Sequence, residues 1–327
     1  MSESVFKYII EEKRTRQGAE EEESRSVVIT GLLQARRHVA VPETLEGIPV
    51  RGIAPHAFSG NGEILSIALP RSLRFVGAFA FHNCARLEEV SLYDGISDFH
   101  NGVLRRDTRL RQIRFFVREG NYTVMRDILS ETDARLRFCL SMPDGEARLV
   151  FPGYDYSFAE NTMARTIQFS IYGSGMEYRE CVRRKGVGWR EYDRLFTRVT
   201  ADDPEAAVQI AADRLLYPRQ LAPVYAQAYE EYLRANAAMA LETFVLGISR
   251  EEGFPEDSGP GGEEYARIRL MADRGMISAE AADPALRLAS ERKMTEVCGL
   301  LMAGREKSES GPSPSDSGGG ALSLEDW

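Results

Sequence analysis

The chain has 327 residues, a net charge of −9, 43% hydrophobic residues and 28% charged residues. That length allows two or three domains, and the composition is ordinary for a globular protein. No apolar run approaches the ~20 residues that span a bilayer, and residues up to Lys13 lack the charged-then-apolar order of a secretion signal, so no membrane insertion and a cytoplasmic location are expected.

Residues 1–26 open with a strand candidate, Val5 to Ile10, followed by a charged segment whose run Glu20 to Glu23 reads as a solvated loop. Residues 27–118 repeat. Ile64, Leu87 and Leu110 are spaced by 23 residues, as are Ile53, Val76 and Phe99, and again Phe58, Phe81 and Leu104. A fixed period in the low twenties is the signature of a leucine-rich solenoid, a fold that usually presents a binding surface. The apolar positions Ile64, Ile67 and Leu69, with their counterparts Leu87, Val90, Leu92 and Leu110, Ile113, Phe115, stack as ladders in the core. Strand alternation then turns Ser66 and Ala68, Glu89 and Ser91, and Gln112 and Arg114 outward. These six are the candidate partner-binding residues.

Residues 119–201 break the period. A short helix is expected at Val124 to Leu129, strands at Arg135 to Leu140, Ala147 to Phe151 and Thr166 to Tyr172, and a helix at Trp189 to Phe196. This mixed segment is a module or cap on the solenoid. Residues 202–304 read as helical: Asp203 and Pro204 are an N-cap and first-turn proline, and Val208, Ala211, Ala212 and Leu215 share one face. The stretch Gly253 to Gly262 reads as a loop, and residues 305–327, rich in Ser, Gly and Pro, read as a disordered tail with apolar points at Leu322, Leu324 and Trp327. The fold class expected is α+β: a short solenoid, a mixed middle segment and a helical C-terminal region.

Several segments resemble a known family. Gly47-Ile48-Pro49-Val50, Ala57-Phe58, Leu69-Pro70, Ala80-Phe81, Asn83-Cys84 and Leu87-Glu88-Glu89-Val90 are similar to BspA-type leucine-rich repeats. The resemblance implies a core role for Cys84. The third repeat departs from it, with Val103-Leu104 in place of the Ala-Phe pair and Asp107 in place of the cysteine. Phe151-Pro152-Gly153-Tyr154 and Tyr172-Gly173-Ser174-Gly175 resemble a region of cytosolic leucine-rich repeat proteins of Clostridia-like bacteria. Residues from Ala272 to Leu301 resemble a degenerate ankyrin-type helical hairpin.

Chemistry is thinly represented. His38, His56, His82 and His100 all lie in the repeats and occupy different coil positions, so neither a histidine metal site nor a Ser-His-Asp triad is expected. Cys84, Cys139, Cys181 and Cys298 have no paired spacing, as befits reduced thiols. Gly173-Ser174-Gly175 and Gly186-Val187-Gly188 lack the lysine and hydroxyl of a phosphate loop. No cofactor is expected. Basic residues interleave with aromatics in Tyr178, Arg179, Arg183, Arg184, Trp189 and Arg190, a pattern that binds single strands or forms cation–π surfaces inside a protein. Net negative charge opposes the first use, although arginines outnumber acids between Val27 and Arg118. The primary expectation is a non-catalytic interaction module with an unknown protein partner. The alternatives are an enzyme with a site in 150–200, around Glu160, Tyr172, Tyr178 and Arg179, and nucleic-acid binding through residues 178–194.

Overall fold

A computed structural model describes residues 5–17, 20–161, 166–248 and 262–309. The tail residues Leu322, Leu324 and Trp327 and the loop expected from Gly253, up to residue 261, lie outside the described residues. The chain divides into two compact units, Met1–Glu230 and Glu231–Trp327. The architecture is α+β.

The first unit begins with a hairpin of β1 (Phe6–Gln17) and β2 (Glu20–Leu32). The coils follow: β3 (His38–Ala40), β4 (Thr44–Leu45), β5 (Ile48–Ile53), β6 (Ser66–Ala68), β7 (Phe75–Val76), β8 (Glu89–Tyr93), β9 (Asp98–Phe99) and β10 (Gln112–Phe116). Each coil contributes one strand to each of two sheets. One sheet runs β1-β2-β5-β7-β9. The other carries β3, β6, β8 and β10 in parallel. The 23-residue period sets the register, since Ser66 pairs with Glu89 and Glu89 with Gln112. Ile67, Val90 and Ile113 therefore stack between the sheets, each no more than 2% exposed. Phe58 and Phe81 stack face to face at 5.2 Å on the return side.

The parallel sheet does not stop at residue 118. Helix α1 (Thr123–Glu131) replaces a return turn, and β11 (Leu136–Met142) then pairs parallel to β10. Gln112 faces Arg137, a step of 25 instead of 23, because the helix consumes more chain than the turn it replaces. Strand β12 (Gly145–Phe151) pairs antiparallel to β11 and ends the sheet. The open edge of β12 meets helices. The Tyr192 hydroxyl donates to Val150 O at 2.7 Å and accepts from Val150 N at 2.9 Å, so a side chain satisfies both backbone groups of that edge residue.

The remaining elements of this unit are the hairpin β13 (Asp155–Asn161) and β14 (Thr166–Tyr172), α2 (Gly175–Glu180), β15 (Val182–Arg183), β16 (Gly186–Val187), α3 (Trp189–Arg194), α4 (Phe196–Asp202) and α5 (Pro204–Leu216). Asp203 caps α5 by accepting from Ala206 N at 3.0 Å, and Pro204 follows, so the start expected from sequence is where the helix begins. Helix α5 packs on β12. An aromatic chain runs from solenoid to helices: Phe115, Phe138, Phe151, Tyr192 and Tyr178 contact in succession with centroids 4.8–6.4 Å apart.

Helix α6 (Pro223–Ala235) crosses the boundary between units. The second unit packs α7 (Ala237–Gly247), α8 (Gly262–Asp273), α9 (Ala279–Glu291) and α10 (Thr295–Glu309) against one another. Helices α9 and α10 are separate. Lys293 adopts φ +54°, and Met294 N bonds back to Ala289 O at 2.9 Å, a left-handed turn that closes α9 before α10 starts.

Candidate functional site

The outward face of the parallel sheet brings all six candidate partner-binding residues together in rows. The strand register places His38, Ser66, Glu89, Gln112 and Arg137 in one row. Ala40, Ala68, Ser91, Arg114 and Cys139 form the next, and Tyr93, Phe116 and Ser141 a third. Ala68 is exposed; Ser66, Ser91, Gln112 and Arg114 are half-buried. Glu89 stands on the same face yet is only 7% exposed. Its carboxylate accepts from Gln112 Nε2 at 2.7 Å and Arg114 Nε at 2.8 Å on the neighbouring strand. Alternation assigns Glu89 to the correct face, but it cannot report that cross-strand partners cover it.

Three further features shape the face. His38 Nδ1 and Ser66 Oγ are 2.8 Å apart. The rings of Tyr93 and Phe116 stack at 4.8 Å, with the Arg118 guanidinium 6.0 Å from the Phe116 centroid. At the far end the face closes: Cys139 is buried, and Arg148, opposite it, lies over the Tyr217 ring at 4.5 Å. The open part is therefore the floor of small and polar residues on β3, β6, β8 and β10, bounded by an aromatic pair.

Carboxylates clamp one coil to another, a role that no spacing in the sequence marks. Glu43 accepts from Arg71 N and Ser72 N at 2.7 and 2.9 Å. Asp94 accepts from Arg118 N and Glu119 N at 2.9 and 2.7 Å. Glu131, at the end of α1, accepts from Gly102 N, Val103 N and Leu104 N at 2.5–3.2 Å. Burial still pushes the Glu131 carboxyl above its ordinary range, against those three bonds. Asp107, one period after Cys84, accepts from Cys84 N at 2.7 Å, while its Oδ2 has no partner among the described residues. Burial pushes Asp107 up to about 8 and the Cys84 thiol up to about 12. Cys84 occupies the core position that the resemblance implies, donating to Phe58 O at 3.2 Å.

The basic-aromatic cluster is not one surface. Tyr178 is fully buried and Trp189 is 6% exposed, so neither ring is available to stack on a base. The Arg214 and Arg219 guanidinium groups lie 5.2 and 6.0 Å from the Trp189 ring. Arg179 donates to four carbonyls, those of Leu129, Ala134, Pro152 and Gly175, and burial lowers it to about 10. Arg183 pairs with Glu191 at 2.8 Å on the surface, and Arg184 and Arg190 are exposed. Behind them lies a buried pair: Asp193 accepts both Arg214 Nε at 2.8 Å and a second Arg214 nitrogen at 2.9 Å, and Tyr229 donates to Asp193 at 2.7 Å. Arg214 and Asp193 are 0% and 1% exposed.

Tyr172 is 61% exposed, Tyr178 is buried, and the side chain of Glu160 lies outside the described residues. Among the described residues no group of three or more His, Cys, Asp or Glu could hold a metal ion, and no helix is long and apolar enough to cross a membrane. The second unit carries a groove of about 540 Å³ lined by Leu286, Arg287, Ser290, Glu291, Cys298 and Met302.

Residues 41–131 match the BspA type leucine rich repeat region family in six copies. The solenoid is similar to a BspA-type leucine-rich repeat region. The match ends on Glu131, the last residue of α1, while the repeat sheet itself runs on through β11 and β12. Among solved structures, a leucine rich repeat protein of T. pallidum is 24% identical over 36% of this chain and 52% of its own, with a TM-score of 0.29. A leucine-rich repeat protein of Bacteroides ovatus is 22% identical over 35% and 31%, with a TM-score of 0.26. A leucine rich cell surface protein of Faecalibacterium prausnitzii is 16% identical over 43% and 29%, with a TM-score of 0.23. The chain thus spans about half the length of the first of these proteins and about a third of the other two. No curated protein matches the chain.

Proposed function

We propose that the protein is a non-catalytic interaction module that holds a protein partner on the outward face of its repeat sheet. The observation that carries this is the in-register face itself: Ser66, Ala68 and Ser91 form a low floor beside the stacked Tyr93 and Phe116. Small floor residues admit a partner's backbone, and aromatic side chains beside arginine are where interface energy concentrates. Glu89 and Arg114 neutralise each other there, so the floor offers little net charge to a polyanion. We propose that nucleic acid is not the partner and that no cofactor takes part.

The helical unit is proposed as a second, ankyrin-like contact module. A cytoplasmic location in a Clostridia-like bacterium is proposed with it. It is supported by Cys84, Cys139, Cys181 and Cys298, all free thiols. Fractionation of cells tests the location, and recovery with the envelope or the medium rejects it.

The face is tested with Ala68→Arg and Ser91→Arg, which fill the floor while keeping Glu89 and Arg114 themselves, Ser91 standing next to Arg114 in its row. Arg51→Ser, on β5 of the other sheet, is the control. A partner retrieved from cell extract by the wild-type protein and by Arg51→Ser should be lost with both floor variants. A partner retained by all four proteins rejects the face.

A further inference from the structure

We propose that the return turn of the third coil, bearing Arg105, Arg106 and Arg109, is a second interaction surface, one that takes an acidic protein segment with consecutive carboxylates. All three side chains are exposed, and no carboxylate is paired with any of them among the described residues. Four of the other repeat arginines do face carboxylates: Arg74 faces Glu119, Arg86 faces Glu63, Arg111 faces Glu88 and Arg114 faces Glu89. The one acid inside the turn, Asp107, is buried and directed inward to Cys84 N at 2.7 Å. The nearby Glu131 carboxylate is occupied by the amides of Gly102, Val103 and Leu104.

The fold does not require these arginines. One period earlier the same positions hold His82, Asn83 and Arg86, and two periods earlier Ser59, Gly60 and Glu63. The middle position is left-handed in every coil, with φ +72° at Gly60, +59° at Asn83 and +67° at Arg106. Glycine and asparagine are the residues that tolerate that conformation, and a long side chain there is strained. A strained residue in the centre of an uncompensated charge cluster is where a binding role is expected. The partner class follows from range. Charges are screened beyond roughly 8 Å at physiological salt, so a short acidic segment responds to the local cluster. A long nucleic acid also meets the rest of a protein whose net charge is −9.

The test uses the full chain and a fluorescent peptide with six consecutive glutamates, read by anisotropy at 50 and 150 mM salt. A glutamine peptide of the same length is the comparison. Binding of the glutamate peptide should weaken at least tenfold in the Arg105→Ser, Arg106→Gly, Arg109→Ser triple variant. Arg106→Gly alone should weaken it about threefold while raising the melting temperature, because it relieves the left-handed strain. Recognition and folding then move in opposite directions, which a structural role for Arg106 would not produce. Equal binding of the glutamine peptide, or unchanged binding by the triple variant, overturns the proposal. Preferential binding of a single-stranded RNA of equal charge at 150 mM salt overturns the choice of an acidic segment.

Discussion

Phe79 lies directly over Gly102 on the next coil, so that a Cβ built on Gly102 would come within 2.5 Å of Phe79 Cε1. Gly102 also holds φ +76°, the third left-handed position in a ladder with His56 at +58° and Phe79 at +58°. The Phe79 ring cannot swing away freely, because it stacks on His56 at 5.3 Å and meets His82 edge-on at 5.5 Å. Gly102→Ala adds a conformational penalty of about 1 kcal/mol to an overpacking penalty of about 1–3 kcal/mol. Gly60→Ala, at φ +72° with nothing within 4 Å, should cost the conformational part alone. Urea denaturation of both variants measures the difference. Equal losses would show that the Phe79 contact does not restrain the coil.

Asp107 makes stability depend on pH. Its folded value is raised to about 8 from 3.8, so the folded protein holds a proton there that the unfolded chain releases. The associated stability is fully present below about pH 4 and is lost as pH rises through about 8. Asp107→Asn keeps an oxygen for Cys84 N and removes the titration. It should therefore be more stable than wild type at pH 9, by about 1–3 kcal/mol, and lose most of that advantage by pH 5. Denaturation midpoints at pH 5, 7 and 9 decide it. Parallel curves for the two proteins would mean that Asp107 is not protonated in the fold.

The solenoid was legible because its core is periodic. Ile67, Val90 and Ile113 are identified by spacing alone, and the same spacing gives the register that aligns Ser66 with Glu89 and Gln112. Position 104 shows how a weaker repeat remains readable: Leu104 continues the ladder of Phe58 and Phe81 and is 5% exposed. The continuation into β11 was hidden because α1 stretches one step to 25 residues and breaks the count. Arg179 and Trp189 were misleading for another reason. Interleaved basic and aromatic residues look the same whether their partners are solvent or the carbonyls and guanidinium groups that surround them here. Only the tertiary fold brings Leu129, Pro152 and Arg214 to those side chains.

Glu89 is a structural member of the sheet face. Removing its carboxylate takes a charged partner from Arg114 and an acceptor from Gln112, both half-buried. Glu89→Ala should cost about 1–3 kcal/mol, whereas Glu89→Gln, which keeps one acceptor, should cost less. Because Glu89 is buried, raising salt from 0.05 to 0.5 M should shrink the loss only slightly. A loss that vanishes in high salt would identify a solvent-screened pair and return Glu89 to the exposed floor.

The Asp193–Arg214 pair supplies a sharper contrast between breaking and replacing a buried ion pair. Asp193→Ala leaves Arg214, 0% exposed, without its carboxylate, and leaves the Tyr229 hydroxyl without its acceptor. A loss of about 3–5 kcal/mol is expected. Arg214→Met alone leaves the opposite charge stranded and should cost a similar amount. The double variant Asp193→Leu, Arg214→Met removes both desolvation penalties and keeps side-chain volume beside Trp189. It should be more stable than either single variant, with a coupling of at least about 2 kcal/mol in a double-mutant cycle. Tyr229 would still lack a partner, so the double variant should gain further from Tyr229→Phe. Additive losses in the cycle would mean that Asp193 and Arg214 are each held by other groups, chiefly the Tyr217 and Arg219 carbonyls that Arg214 also reaches.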